Sequence, residues 1–211
     1  MKALSETKLF SFKDRKRPGT SRPTSPMILL FIVLICGIES SAPLAWGQLS
    51  GATGYEVKTA FLFNFAKFID WPASSFSSSQ SPFTICVLGQ DPFGNILDYT
   101  LLGKIVGARP LVIRRLNDKA EARRCQMVFV STSERAHLAE IFGSLQGANV
   151  LLIGETDGFA ALGGTIEFTS EDNHVRFTIN IDAADRSGLK FSSKLLALAI
   201  IVHDQRHLKG E

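Results

Sequence analysis

Along GYEVKTAFLFNFAKFIDWP, residues 54–72, apolar side chains recur at helical spacing. At about 100° per residue, Val57, Phe61, Phe65, Phe68 and Ile69 share one side, and Glu56, Thr59, Lys67 and Asp70 the other. Two residues break the pattern. Asn64 lands beside the apolar stripe and Phe63 in the polar arc, so the wheel predicts a buried amide and an exposed ring.

Past a polar linker, SSFSSSQSP (74–82), the runs FTICVLG (83–89), PLVIRR (110–115), MVFVS (127–131) and VLLIGE (150–155) read as strands. They are short, rich in β-branched residues and bounded by turn formers. Between the first two, Asp91 is expected to cap a helix with Pro92 in its first turn. SERAHLAEIFGSL (133–145) sets Leu138, Ile141, Phe142 and Leu145 on one helical face. The pattern then alternates: Ile166 and Phe168, then Val175, Phe177 and Ile179, flank Glu171-Asp172-Asn173, which predicts a hairpin. In SGLKFSSKLLALAIIVHD, Leu195 to Val202 is apolar all round and predicts a helix buried on more than one side. That run is far shorter than the roughly 20 residues that cross a bilayer. Together these elements make an α/β domain: three layers, a mixed β-sheet flanked by helices, a C-terminal hairpin and a long buried helix. Its core spans 54–202 within a domain of 48–211.

The start of the chain differs. Lys2, Lys8, Lys13, Arg15, Lys16, Arg17 and Arg22 precede the uncharged run MILLFIVLICGI (27–38), and small residues follow. This is the layout of an export signal over 1–47, which implies a periplasmic protein; an uncleaved anchor is the alternative. Cleavage after Ala45-Trp46-Gly47 fits better than after Ala42, which would leave Pro43 behind the cut. The leader also explains the net charge of +3. Seven of the 23 basic and three of the 20 acidic residues lie within 1–47, so the rest carries 16 against 17. A near-neutral domain gives no reason to expect nucleic acid. The basic pairs Arg114-Arg115 and Arg123-Arg124 read as solvated strand ends or loops.

Chemistry for catalysis is missing from the pattern. GQDPFG has two glycines at phosphate-loop spacing, but Asn95 and Ile96 replace the required Lys and Ser/Thr. His203 and His207 share an i, i+4 spacing without a carboxylate at ligand distance, so no metal is expected. No serine sits in a G-x-S-x-G turn. The expectation is a non-enzyme without a cofactor. With Cys36 removed in the leader, Cys86 and Cys125 remain; an even count in an exported chain points to a disulfide, with two buried thiols as the alternative. Arg176 and Glu167 fall on the polar side of the hairpin, and Arg186 and Lys194 flank the last helix. They are candidates for a partner surface or an anion-binding cleft, or are plain exposed residues.

YEVKTAFLFNFAKFIDWP, FTICVLGQDPFG, GARPLVIRR, CQMVFVS, GFAALGGTIEF and VRFTINIDAADRSGLKFSSKLLALA, in this order, resemble the YfiR family of bacterial periplasmic proteins. The resemblance implies a commonly dimeric α/β domain without catalysis, whose best-understood members repress a membrane-bound diguanylate cyclase by binding its periplasmic domain. Cyclic di-GMP and biofilm formation then fall. It also implies a disulfide at Cys86–Cys125 that stabilises the active form. The chain departs from the family at Gln126, where His is frequent, and lacks a second cysteine pair. On this reading Phe63 is apolar surface for a membrane partner or a second subunit, unless the serine-rich linker covers it. Asn64 is then a buried amide bonded to a neighbouring loop. The competing function is a small-ligand module near Arg176 and Arg186 that serves another sensor or transport system.

Overall fold

Strand β2 (Phe83–Leu88) is buried at all six positions, as expected of a strand in the middle of a sheet covered on both faces. The computed structural model describes residues 49–204, with side chains from Gly54 onward. The expected leader and its cleavage site, and His207, lie outside the described residues. In chain order the elements are α1 (Leu49–Phe68), β1 (Ile69–Asp70), β2, α2 (Asn95–Leu101), β3 (Ile105–Val106), β4 (Arg109–Leu116) and β5 (Met127–Val130). Then follow α3 (Leu138–Ser144), β6 (Leu151–Gly154), β7 (Ile166–Glu171), β8 (His174–Asn180), α4 (Ile181–Arg186), β9 (Lys190–Phe191), α5 (Ser193–Leu196) and β10 (Ile200–Val202).

The main sheet runs β10-β8-β7-β6-β5-β2-β4-β3. From β4 through β7 neighbouring strands are parallel, while β3 on β4 and β8 on β7 are antiparallel. The sheet is therefore mixed. The chain leaves β2 outward to β4 and returns to β5 on its other side, a topological switch point. Strand alternation feeds two cores. Phe83, Ile85 and Val87 join Leu62, Phe65, Leu97 and Leu101 on the α1–α2 face. Cys86 and Leu88 join Ala122, Leu138 and Ile141 on the α3 face. Helices on both faces make the three layers.

The hairpin forms as expected. Asp172 and Asn173, with φ of 49° and 62°, make the two-residue left-handed turn that matches strand twist. Three other expectations need correction. In α1 the buried line is Thr59, Leu62, Phe65 and Ala66, continued by Ile69 of β1, whereas Val57 and Phe68 are 39% and 40% exposed and Asn64 is exposed. Asn64 is no buried amide. Phenylalanines point in several directions from this helix, so a count of apolar residues cannot fix its register. Thr59 is hidden because its hydroxyl donates to the Tyr55 carbonyl at 2.8 Å, and hydropathy gives no credit to small residues such as Ala66 at a close contact.

Asp91 does not cap α2. Its Oδ1 accepts from the Phe93 N–H at 2.8 Å, two residues on, and α2 begins only at Asn95 behind Gly94. A short Asx turn has won over the cap. Nor is there a long buried C-terminal helix. Helix α5 ends at Leu196, and Ile200–Val202 continues as an edge strand parallel to β8, with Leu198 and Ile200 70% and 57% exposed. A short apolar run does not distinguish helix from strand, and the β-branched Ile200-Ile201-Val202 favours the strand.

Phe65 packs between Phe168 and Phe177, with ring centroids 5.8 and 5.1 Å away. Phe65→Ala should therefore cost about 3–5 kcal/mol in urea unfolding, and Asn64→Ala less than about 0.5 kcal/mol. Comparable losses from both substitutions would restore the register expected from the wheel.

Candidate functional site

Cys86, in the central strand, and Cys125, two residues before β5, form a disulfide across a Cα–Cα distance of 6.1 Å. Both are buried, at 0% and 2% exposure. The alternative of two free thiols is thereby settled. The bond anchors the 3₁₀ turn Lys119–Arg124 to β2. Next to it, Gln126 is also buried: its Oε1 accepts from the Thr84 N–H at 2.8 Å and its Nε2 donates to the Ser75 carbonyl. This side chain staples the serine-rich linker to the edge of the sheet.

Phe63 is half-buried at the margin of the α1–α2 core, with the Lys67 and Lys104 ammonium groups 5.4 and 5.7 Å from its ring centroid. The lysines flank it, whereas the aromatic residue of the serine-rich linker, Phe76, packs on Phe83 and Arg109. Around the same edge of the sheet, Tyr99, Leu102 and Ile105 are 78%, 81% and 59% exposed. Sequence reasoning missed these three, because it assigned no faces to the segment between β2 and β4.

Glu167, Arg176 and Arg186 are not brought together. Glu167 is buried rather than on a polar face, and accepts from the Gly158 and Ala160 N–H groups at 2.9 and 3.0 Å. The loop after β6 covers it. That loop is held from below as well: a Cβ at Gly164 would lie 2.1 Å from the Phe159 ring, so only glycine fits there. Arg176 is exposed and sits 3.8 Å from Glu171, a weak surface pair. Arg186 binds Asp204, which also accepts from the Asn180 amide at 2.7 Å. Burial opposes ionisation of Asp204, yet Arg186 and Asn180 together hold its carboxyl below the ordinary carboxylate range.

A second, partly buried polar group was not visible in the sequence. Lys58 Nζ lies 2.5 Å from Glu155, just past β6, and the Tyr55 hydroxyl donates to the same carboxylate at 3.1 Å. Tyr55 is pushed up to about 12, by burial first and then by the charge of Glu155 and the hydrogen bond to it. The polar side chains of these networks satisfy one another. They fix position and leave no activated nucleophile. Among the described residues no group of three His, Cys, Asp or Glu side chains is placed to hold a metal ion, and no helix is long and apolar enough to cross a membrane.

Two measurements follow from this geometry. The disulfide spans a sequence separation of 39, so Cys125→Ser should lower the urea unfolding free energy by about 4 kcal/mol on the chain-entropy argument. A loss near zero would mean that the bond constrains nothing the sheet does not already hold. For Tyr55, folding holds the phenol proton more tightly than the unfolded chain does. Its contribution is complete below pH about 10 and is lost as pH rises towards 12. Tyr55→Phe should remove the phenolate absorbance step near pH 12; a step that survives in the variant belongs to another residue.

Two solved structures are similar to the chain over a little more than half of its length. A conserved domain protein from Vibrio cholerae O1 biovar El Tor is 11% identical with a TM-score of 0.44, covering 56% of this chain and 54% of that one. The ABC domain in complex with L-Trp from Streptococcus pneumonia is 9% identical with a TM-score of 0.42, covering 57% and 55%. The chain thus spans about half the length of each. The YfiR/HmsC-like family profile matches residues 55–200, most of the 211. This is a family of periplasmic regulators acting in the diguanylate cyclase pathway, and not of enzymes. By that match, which takes in the disulfide, both cores and the hairpin, the chain belongs to the YfiR/HmsC-like family.

Proposed function

We propose that the protein represses an inner-membrane diguanylate cyclase by binding its periplasmic domain, and so lowers cyclic di-GMP. The family match over 55–200 carries this reading. The interior agrees with it, since the networks at Glu155, Glu167 and Asp204 are internally paired and the disulfide braces the central strand. Such a scaffold is suited to presenting a surface of fixed shape. The surface proposed for the partner, or for a second copy in a homodimer, is the edge where Tyr99, Leu102 and Ile105 stand exposed beside Phe63. Aromatic and apolar anchors of this kind dominate interface energetics.

Binding of a small anion at Arg186 has less support. Arg186 and Asp204 both line a cleft of about 430 Å³, and an anion there would have to displace the carboxylate already paired with the guanidinium. Arg176 lies elsewhere.

The test is a co-purification from solubilised membranes with the exported domain as bait, alongside cellular cyclic di-GMP. Wild type should retain a cyclase and lower the nucleotide. Leu102→Asp, on an exposed side chain, should fold normally and lose both effects by about tenfold, a central anchor being worth over about 1 kcal/mol. Full repression by Leu102→Asp would remove this edge from the interface. Absence of any cyclase from the wild-type sample would contradict the repressor reading.

A further inference from the structure

The serine-rich linker and the Arg123-Arg124 pair, about 40 residues apart in sequence, meet in the fold. Between them lies a cleft of about 490 Å³ lined by Ser75, Ser77, Ser81, Arg123, Arg124 and Gln126 among others, at the amino-terminal ends of β2 and β5. No carboxylate lines it. This is out of keeping with a domain whose charges nearly balance beyond residue 47.

The donors facing the cleft are incompletely used. Arg124 has no hydrogen-bond or ion-pair partner among the described residues. Arg123 gives Nε to the Ser144 carbonyl at 2.7 Å and Nη2 to the Gln146 carbonyl at 3.3 Å, which fixes the guanidinium and leaves Nη1 available. The Ser75 hydroxyl is buried without a hydrogen-bond partner, and an unmade bond at a buried polar atom costs about 1–3 kcal/mol. The site is also built. Gln126 holds the Ser75 carbonyl from below. Arg109 donates to the Ser78 and Ser81 carbonyls at 2.9 and 2.6 Å and lies 3.7 Å from the Phe76 ring, so the linker is pinned from outside. Ser77 and Ser81 hydroxyls are 2.7 Å apart and already oriented.

We propose that this cleft binds a phosphate group, carried on a small hydroxyl-rich molecule such as a sugar phosphate. Two guanidinium groups beside the serine hydroxyls of the linker supply more donors than a carboxylate uses, and guanidinium forks match phosphate oxygens. The volume exceeds that of inorganic phosphate, and the serine hydroxyls offer partners for sugar hydroxyls. Because the cleft adjoins Cys125, occupancy would brace the same strand that the disulfide braces. The proposal is independent of the repressor reading and stands or falls without it.

Calorimetric titration of the oxidised domain, at constant ionic strength, tests it with inorganic phosphate, glucose 6-phosphate, glucose and acetate. Phosphate and glucose 6-phosphate should bind saturably, the sugar phosphate more tightly, and glucose and acetate should not. Arg124→Gln should weaken binding by about tenfold or more, in line with loss of a charge-assisted bond. Arg124→Gln should retain the wild-type melting profile, whereas Ser75→Ala should weaken binding less and, by removing an unpartnered buried hydroxyl, melt no lower than wild type. Vesicles containing phosphatidylglycerol form a separate arm. Sedimentation with them that needs Arg124, without binding of the soluble probes, assigns the phosphate to a lipid headgroup. No saturable binding in either arm, equal affinity for acetate, or binding unchanged by Arg124→Gln overturns the proposal.

Discussion

The covalent link between Cys86 and Cys125 joins a central strand buried at every position to the segment that leads into its neighbour. β2 and β5 flank the point where the chain reverses its direction of travel across the sheet, and local sequence does little to hold them together. Between them run a helix, two outer strands and a 3₁₀ turn. Closing that loop covalently removes unfolded-state freedom worth about 4 kcal/mol, a large share of the 5–15 kcal/mol that typically separates folded from unfolded domains. The neighbouring contacts follow from it. With Cys125 fixed, Gln126 reaches Thr84 and Ser75, and the linker lies against the sheet where Arg109 can clasp it.

Elsewhere, stabilisation and position come from polar groups that answer one another in partly dry surroundings. Glu167 gathers two backbone donors, Asn180 caps α4 and holds Asp204, and Lys58 and Tyr55 share Glu155. Breaking one member of such a set leaves its partner buried and unpaired, which is why these groups define a single arrangement. Regulation by contact needs a surface that keeps its shape, and this interior supplies one. At the surface stand the apolar edge at Tyr99, Leu102 and Ile105, and Arg124 beside the serine linker.

Strands β2, β4, β5 and β6 and the hairpin were legible in the sequence because β-branched runs bounded by turn residues have few other readings. The cysteine count pointed to the disulfide, although its alternative remained open until the Cα distance was known. The register of α1 was illegible for a physical reason: Phe61, Phe63, Phe65 and Phe68 spread apolar surface over most of its circumference. β10 was hidden by the same ambiguity of short apolar runs. Glu167 looked solvent-facing because alternation on β7 says nothing of a loop that later folds over it. The cleft at Arg124 was invisible for a simpler reason, since its two sides belong to segments that only the sheet brings together.

Repression from the periplasmic side is tested most directly by cellular cyclic di-GMP at matched protein levels in three strains. One carries the full chain, one a version lacking residues 1–47, and one the full chain with Cys125→Ser. The full chain should lower the nucleotide, the leaderless chain should not, and the serine variant should do so only weakly. An unchanged level with the full chain, or equal lowering by the leaderless one, would contradict it.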